Sequence, residues 1–409
     1  MNIRSSLNRR KFLKTAAQSG IGLGVASSMR ASRILGANDR INLGLIGSGG
    51  RGRFLMKYFQ DQGAEVLALC DVYEPHLAAG IKTAGPRARS CDDYRRLLED
   101  KSLDAVIVAT PDHWHGQMAI DAVEAGKDVY VEKPMCHTVD EGFRLIEAVR
   151  KSKRVVQIGT QRRSYDLFVE GKKIMESGKL GEVRLIIAWW INAQTSLRRD
   201  KLDGKLDWDK WLGPAPHRPQ DPLRFFNWYY FYDYGGGMMV GQAAHIVDAI
   251  HWFMNSTYPT AVTCSAGKVH LEGAEVPETT VMNVEYPEDY LVTFTVGYKT
   301  MHYAWNNDQM KQFHGSKARF DMARESYALY PQSQDEVVVP ELQKRQFQTF
   351  NNATRDHIAN FMDCIRTRKT PNSTVEAGQH TNVVLCMALE SLRHGCRVRW
   401  DAERQKMIT

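Results

Sequence analysis

The chain has 409 residues, of which 43% are hydrophobic and 25% are charged. This composition is ordinary for a globular protein and excludes a disordered or fibrous chain, while the length favours two domains over a single core. The net charge of +7 comes from the first 37 residues, which hold seven Lys or Arg residues and no Asp or Glu. The rest of the chain is electrically balanced, which argues against a nucleic-acid partner.

The basic N-terminal segment contains NRRKFLK at residues 8–14, which resembles the twin-arginine export motif. A Gly- and Ala-rich apolar run follows at residues 15–29, and it is too short and too polar to be a permanent membrane anchor. The pattern predicts a signal peptide at residues 1–37, cleaved near Ala37, with Ala31 as a competing position. The expected destination is the periplasm or another exported location, reached through the twin-arginine machinery. The alternative is a disordered basic N-terminus.

The first strong signal after this leader is the stretch INLGLIGSGGRG at residues 41–52. A short apolar strand is followed by glycines at the G-x-G-x-x-G spacing, which is typical of a turn that brings backbone amides and a helix N-terminus to a pyrophosphate. Asp71 ends the next apolar strand, where a carboxylate accepts the ribose hydroxyls of NAD and repels the extra phosphate of NADP. The alternative is a purely structural glycine turn. The cofactor-binding candidates of this region are Gly47, Ser48, Gly49, Gly50, Arg51, Gly52 and Asp71.

From residue 41 to about residue 159, short apolar strands alternate with helical patterns. This alternation predicts an α/β domain with a doubly wound parallel sheet, whose ligands bind at the carboxyl ends of the strands. The predicted strands are 41–46, 65–70, 103–109, 128–132 and 155–158, and the predicted helices are 54–60, 117–124 and 139–150.

Two of these strand ends carry polar side chains that are candidates for chemistry. The first is Thr110-Pro111 with His115 nearby, and the second is Glu132-Lys133-Pro134. Proline holds the preceding residue in extended geometry, which would aim Lys133 over the crevice. Partial burial would lower the pKa of that lysine toward a range useful for proton transfer. The alternatives are a solvated lysine and a structural histidine.

Beyond residue 163 the pattern changes to a helix at 165–177 followed by strands at 183–191, 261–269, 279–286 and 290–296. Successive strands with short turns such as 287–289 predict an α+β domain built on a mainly antiparallel open sheet. The aromatic segment 192–234 is too long for a simple connection and is expected to be a lid, an oligomer arm or a substrate wall. Two helices at 352–366 and 375–394 are expected to pack back on the body.

The glycines at 235–237 precede a helical pattern that carries His245 and Asp248. Their spacing of three puts the two side chains on one helix face, as an acid/base pair or as a structural hydrogen-bonded pair. The seven cysteines form no C-x-x-C pair, so neither a disulfide framework nor a metal site is indicated.

Together these motifs resemble the Gfo/Idh/MocA oxidoreductase family over residues 40–400, and with the leader they resemble its exported branch. The resemblance implies an NAD-binding Rossmann domain at 38–162 and a substrate and oligomerisation domain at 163–409. It also implies bound NAD rather than NADP, a sugar or cyclitol substrate, and a homo-oligomer, either a dimer or a tetramer. Further cofactor contacts are implied for Thr110, Pro111, His115, Glu132 and Lys133.

Carried over by motif, the resemblance implies that Lys133 and His245 are catalytic. Many dehydrogenases of the family carry an Asp four residues before this histidine, and here that position is Gly241. The residues that could replace the Asp are Asp248, Asp233 and Tyr234, with a water as a further alternative. The substrate-binding candidates are Gln161, Arg162 and Asp248, with an aromatic sugar wall near Trp189, Trp190, Trp228 and Tyr229.

The resulting functional hypothesis is an NAD(P)-dependent oxidoreductase that transfers hydride between the nicotinamide and a carbinol of a sugar, cyclitol or derivative. The alternative is a redox-assisted glycoside hydrolase or lyase with tightly bound NAD, favoured by the missing Asp and by the exported location. A third possibility is a nucleotide-binding structural or sensory subunit without turnover.

Overall fold

The computed structural model describes residues 40–191, 196–297, 303 and 307–409. The predicted signal peptide lies outside the described residues, as do the first four residues of the predicted aromatic segment. Within the described ranges, no helix is both long enough and apolar enough to cross a membrane.

The N-terminal half contains a six-stranded parallel sheet in the order β3-β2-β1-β4-β5-β6. Strand β4 is buried along its whole length because helices cover both faces of the sheet. The predicted doubly wound parallel sheet is therefore confirmed. Its strands are β1 (Asn42–Ile46), β2 (Glu65–Cys70), β3 (Arg89–Cys91), β4 (Ala105–Val108), β5 (Asp128–Val131) and β6 (Val156–Ile158).

The helices that cover this sheet are capped by local sequence. The helix at residues 139–152 begins with a capping box in which Thr138 and Glu141 bond each other's backbone amides. Two helices and β3 were not predicted, because these segments are short or lack an apolar periodicity. The helices of this half are α1 (Gly50–Asp61), α2 (Glu74–Ala84), α3 (Tyr94–Leu98), α4 (Asp112–Glu124) and α5 (Val139–Ser152).

The C-terminal half contains a ten-stranded sheet in the order β14-β13-β12-β11-β7-β10-β9-β8-β15-β16. Strand β7 pairs in parallel with β10, and the other described pairs are antiparallel, which confirms the mainly antiparallel sheet. Its strands are β7 (Val183–Ile191), β8 (Ala261–Ala266), β9 (Thr280–Tyr286), β10 (Tyr290–Gly297), β11 (Gln309–Gly315), β12 (Ala318–Ala323), β13 (Ser326–Pro331), β14 (Leu342–Arg345), β15 (Val398–Asp401) and β16 (Lys406–Ile408).

One face of this sheet is covered by helices, and Phe253 of the central helix packs there on Phe313 and Phe320. The opposite face leaves apolar side chains exposed, among them Leu291, which is 53% exposed, and Leu185. The helices of this half are α6 (Asp166–Glu176), α7 (Trp208–Leu212), α8 (Pro222–Phe226), α9 (Gly237–Met254), α10 (Phe350–Thr367) and α11 (Val375–His394).

The last two helices return to the N-terminal half, as predicted. Phe361 of α10 packs edge-on against Phe59 of α1 and Tyr130 of β5. Gln379 and Asn382 of α11 donate hydrogen bonds of 2.9 Å to the carbonyls of Val139 and Thr138. Helices α10 and α11 therefore connect the C-terminal half of the chain to the N-terminal half. The predicted domain limits stay predictions, since β6 ends at residue 158 and β7 begins at residue 183.

Candidate active site

The glycine-rich turn after β1 adopts the geometry that its spacing predicts. Gly47 has a φ of +88°, which favours glycine, and its amide donates to the Cys70 carbonyl at 2.9 Å. A Cβ on Gly52 would overlap the Gly47 carbonyl, so a glycine is needed where α1 crosses the turn. Within the described part of the chain no side chain caps α1 at Gly49, which leaves its first-turn amides for an anion.

Asp71 lies at the end of β2 beside this turn. Its carboxylate accepts hydrogen bonds from the amides of Ser48 at 2.7 Å and Tyr73 at 2.9 Å. Burial raises the pKa of Asp71, and the neighbouring His76, 3.9 Å away, opposes that shift. The carboxylate is therefore fixed in orientation and still borders open space, where it can accept further hydroxyl groups. These residues fit the ribose and pyrophosphate of a dinucleotide.

A cavity of about 720 Å³ opens at the carboxyl ends of β1, β2, β4 and β5, the edge predicted to bind ligands. Ser48 and Gly52 lie behind its surface and shape the turn. The predicted residues that line it are Gly47, Gly49, Gly50, Arg51, Asp71, Thr110, Pro111, His115, Glu132 and Lys133.

The aromatic segment forms the opposite wall of the cavity. The Trp211 carbonyl accepts hydrogen bonds from Trp114 Nε1 at 2.8 Å and from His113 Nε2 at 3.0 Å. Of the three roles predicted for this segment, a wall is the one that the described residues support. Its lining residues include Trp211, Phe225, Phe226, Trp228 and Tyr229.

Lys133 reaches across from the N-terminal half to α9. Its Nζ donates to the Gly241 carbonyl at 3.0 Å, and Arg51 Nε donates to the Glu132 carboxylate at 2.8 Å. Burial lowers the pKa of Lys133, while the carboxylates of Glu132 and Asp112 oppose that shift. A lysine that borders a cavity and whose pKa is lowered gives up its proton more readily than an ordinary lysine and can then accept one from a ligand.

Asp112 is a site residue that the sequence analysis did not single out. Asp112 is the first residue of α4, where an acidic side chain ordinarily indicates only a favourable interaction with the helix dipole. Its side chain is 2% exposed, and its Oδ2 has no hydrogen-bond partner among the residues that the structure describes. Burial raises the pKa of Asp112 to about 8, although the charge of Lys133 works in the opposite direction.

We expect Asp112→Asn to stabilise the protein increasingly as the pH rises. Because the folded pKa lies above the unfolded value of 3.8, the unfolded state loses this proton first, and the wild type loses stability from about pH 4 to about pH 8. Asparagine does not titrate, so we expect an advantage of about 1–3 kcal/mol at about pH 8.5 and almost none at about pH 4. Urea unfolding at both pH values measures it. An advantage independent of pH would contradict the assignment.

His115 joins the two polar strand ends. Its Nδ1 lies 2.7 Å from the Pro134 carbonyl and its Nε2 lies 2.9 Å from the Thr110 carbonyl. Burial lowers the pKa of His115, so the ring is neutral and its single N–H donates to only one of these two carbonyls. The ring lies between the two strand ends, and the predicted cofactor contact of His115 stays a prediction.

His245 lies on α9 and is not among the residues that line the cavity. Its ring stacks on Trp190 with centroids 6.0 Å apart. Burial, reinforced by the charges of Arg162 and Lys133, holds the pKa of His245 well below its ordinary value of 6.5. The imidazole is therefore neutral at physiological pH. Of the two predicted catalytic residues, Lys133 lines the cavity, whereas His245 does not.

The predicted substrate residues do not form the cavity wall. Asp248 is 1% exposed and accepts from Arg163 Nε at 2.8 Å, and burial raises its pKa against the opposing charge of Arg163. Arg162 is also buried and donates to Gln309, and Gln161 lies beside it in the turn after β6. The structure thus gives Asp248 an ion pair instead of the predicted substrate contact.

The other proposed replacements for the missing Asp are engaged elsewhere too. Asp233 forms ion pairs with Arg218 and Arg224. Tyr234 packs edge-on against Trp211, with centroids 4.6 Å apart, in the aromatic cluster. Of the predicted sugar wall, Trp228 and Tyr229 line the cavity, whereas Trp190 is buried and Trp189 donates to the Asn307 carbonyl.

A buried cationic cluster lies beneath Trp190. It contains Arg162, Lys311 and Arg324, with Asp308 as the ion-pair partner of Arg324 at 2.5 Å. The Lys311 Nζ has no hydrogen-bond partner among the described residues. Burial, together with the charges of Arg162 and Arg324, holds the pKa of Lys311 well below 10.5.

All seven cysteines are free thiols, and four of them are buried. In the ranges that the structure describes, no group of three or more His, Cys, Asp or Glu side chains is arranged to hold a metal ion.

Two family models match the chain. An oxidoreductase-family model described as an NAD-binding Rossmann fold matches residues 41–160, and its companion model, a C-terminal alpha/beta domain, matches residues 205–399. Among similar proteins, inositol 2-dehydrogenase from Salmonella typhimurium is 28% identical over 221 residues, 54% of this chain and 55% of that protein. A glycosyl hydrolase family 109 protein from Solibacter usitatus is 33% identical over 163 residues, 36% of this chain and 37% of that protein. The chain therefore spans about half the length, or less, of these relatives.

Solved structures show the same fold at low sequence identity. Levoglucosan dehydrogenase in complex with NADH and levoglucosan has a TM-score of 0.71 and 16% identity, over 88% of this chain and 99% of that one. The myo-inositol 2-dehydrogenase from Lactobacillus plantarum has a TM-score of 0.67 and 20% identity, over 88% and 99% of the two chains. The WlbA dehydrogenase from Bordetella pertussis, in complex with NADH and UDP-GlcNAcA, has a TM-score of 0.68 and 19% identity, over the same shares.

Proposed function

Because the chain belongs to the Gfo/Idh/MocA oxidoreductase family, we propose that it transfers hydride between NAD and a carbinol carbon of a sugar or cyclitol. The observation that carries this proposal is Lys133, whose amine borders the cavity beside the glycine-rich turn. The inositol and levoglucosan dehydrogenases similar to this chain support the substrate class.

The chain's own residues account for the proton half of this reaction. NAD, held by the glycine-rich turn and Asp71, would supply the hydride acceptor. Lys133 in its uncharged form takes the hydroxyl proton of the carbinol, and its bond to the Gly241 carbonyl holds the amine in place. The neutral ring of His245, stacked on Trp190, is the second residue that the family resemblance implies to be catalytic. The aromatic wall from Trp211 to Tyr229 packs on the sugar and excludes water.

A second candidate is redox-assisted cleavage of a glycoside, in which transient oxidation activates the sugar for elimination and the same hydride then returns. The observation that favours it is Gly241, where an Asp would complete the usual dehydrogenase group. The similarity to a glycosyl hydrolase family 109 protein supports the same alternative over 36% of the chain.

One experiment separates the two candidates. The protein without residues 1–37 is purified, its bound nucleotide is identified, and sugars, cyclitols and glycosides are added while near-ultraviolet absorbance and released products are followed. We expect reduced nicotinamide to accumulate with one sugar or cyclitol. Release of an aglycone without net reduction would instead establish the glycoside-cleaving function and contradict the dehydrogenase.

We also propose that the chain is exported through the twin-arginine pathway. The supporting observation is the NRRKFLK motif with its apolar run. A reporter fused to residues 1–37 should reach the periplasm. The double substitution Arg9→Lys and Arg10→Lys should keep it in the cytoplasm, and unchanged export would contradict the proposal.

A homo-oligomer is proposed on the basis of the open face of the ten-stranded sheet. Leu291 and Leu185, which are paired across β10 and β7, expose apolar surface there together with Val281. Light scattering of the wild type should give a dimer or tetramer, and Leu291→Glu should dissociate it. A monomeric wild type would exclude the proposal.

A further inference from the structure

The position of the missing Asp is occupied by another side chain. A Cβ added to Gly241 would overlap the Tyr229 hydroxyl and crowd the adjacent Cζ and Cε2 atoms of the ring. Position 241 therefore has no space for a side chain while Tyr229 stays where it is. The phenolic oxygen stands where the first atoms of an Asp side chain would begin.

Lys133 converges on the same residue. Its Nζ donates to the Gly241 carbonyl at 3.0 Å, and both Lys133 and Tyr229 line the cavity. An amine that can gain or lose a proton and a hydroxyl that can both donate and accept one thus meet at a single glycine. The glycine leaves room for the phenol to lie against the backbone.

The turn that presents Tyr229 is firmly anchored. Asn227, which is 6% exposed, accepts from the Arg198 amide and donates to the carbonyls of Arg198 and Leu223, at 2.8–2.9 Å. On the other side, the Tyr230 carbonyl accepts from the amides of Glu275 and Val276. The backbone on both sides of Tyr229 is therefore anchored by the fold before any ligand binds.

We infer that Tyr229 is the proton-relay residue that replaces the missing Asp, an inference that rests on the proposed function. In the oxidative direction the O–H bond of the carbinol breaks and its proton goes to Lys133 Nζ. The C–H electron pair would leave as hydride to the NAD that the glycine-rich turn and Asp71 would hold, and the carbonyl would form. Lys133 then passes a proton to the Tyr229 oxygen while the phenol releases its own proton to solvent in the cavity.

Charged groups from both halves of the molecule surround this relay. Lys133 faces Glu132 and Asp112 from its own half of the molecule, with Arg51 bonded to Glu132. From α9 the neutral ring of His245 faces the same region, with Arg162 behind it. Asp248, Asp233 and Tyr234 are engaged elsewhere, whereas Tyr229, like Lys133, contacts both the cavity and position 241.

The kinetic test compares Tyr229→Phe with Tyr230→Phe, which removes the same hydroxyl from the neighbouring residue outside the cavity lining. We expect Tyr229→Phe to lower kcat about 10- to 100-fold with little change in KM, and to increase the solvent isotope effect on kcat. Tyr230→Phe should keep kcat within about twofold of the wild type. A Tyr229→Phe enzyme with unchanged kcat would overturn the inference.

A second measurement decides the inference even if no sugar is found to react. The titration of Lys133 is followed by NMR of protein labelled with carbon-13 at the lysine Cε, with Lys133→Met to assign the signal. In the proposed relay the phenolic oxygen accepts a hydrogen bond from the Lys133 ammonium, so Tyr229→Phe should lower the pKa of Lys133 by about half a unit or more. Tyr230→Phe should not shift it. An identical titration in Tyr229→Phe and wild type would overturn the inference, whereas absence of turnover in wild type would overturn only the proposed function.

Discussion

Lys133→Met is expected to lower kcat on the sugar or cyclitol substrate about 1,000-fold while leaving the bound nucleotide in place. The methionine keeps the length and packing of the side chain but cannot accept a proton or donate to the Gly241 carbonyl. The glycine-rich turn and Asp71 do not depend on this amine. Steady-state kinetics, together with the nucleotide released on denaturation, measure the two effects separately.

Two comparisons make this expectation specific. Lys133→Arg retains a positive charge, but a guanidinium does not give up its proton to act as a base, so it should not restore kcat. Lys57→Met removes a charge from the exposed side of α1 and should leave kcat unchanged. A Lys133→Met enzyme that turns over normally with its nucleotide bound would exclude Lys133 from the chemistry, and recovery by arginine would reduce its role to electrostatics.

Lys311→Met is expected to raise the free energy of unfolding by about 1–3 kcal/mol near pH 6. The wild-type amine is fully buried without a hydrogen-bond partner among the described residues, beside two arginines. Methionine fills the same volume and contacts Phe168 without an amine to desolvate. Thermal or urea unfolding measures the gain, with Lys57→Met as the control for loss of a lysine charge.

The sign of the pH dependence tests the cause. The folded pKa of Lys311 lies below its ordinary value of 10.5, so the unfolded state binds more protons in that interval and wild-type stability rises with pH. The advantage of Lys311→Met should therefore be largest at low pH and should shrink toward pH 10.5. Destabilisation at every pH would show that the amine has a stabilising partner.

The sequence predicts the site where local pattern determines geometry. The turn at Gly47 and the strand ends at Asp71 and Lys133 are each encoded by a few adjacent residues, because an apolar run followed by glycine, acid or Lys-Pro has few conformations. Strands β11 to β14 were missed because polar residues such as Lys311, Gln312 and Asp321 interrupt the apolar residues of β11 and β12, and because β13 and β14 are mostly partly or fully exposed.

The rest of the site depends on contacts between distant segments. The pKa of Asp112 follows from burial beside Lys133, which the first turn of α4 does not reveal. The ion pair of Asp248 with Arg163 spans 85 residues. The helical spacing predicts that Asp248 lies near His245, but it does not predict this distant partner. Tyr229 was predicted only as part of an aromatic wall. Its position against Gly241 arises because the short 3₁₀ turn Trp228–Tyr230 packs on α9, a contact between distant segments.

The overlap between Tyr229 and position 241 also constrains how this site can evolve. Gly241→Asp alone would collide with the phenol, and Tyr229→Ala alone would leave neither hydroxyl nor carboxylate beside Lys133. Each single step toward a Lys-Asp-His group is therefore unfavourable, and only the two together are compatible, which is sign epistasis between residues twelve positions apart. Lineages carrying the tyrosine and lineages carrying the aspartate should thus be separated by a fitness valley, with few intermediates between them.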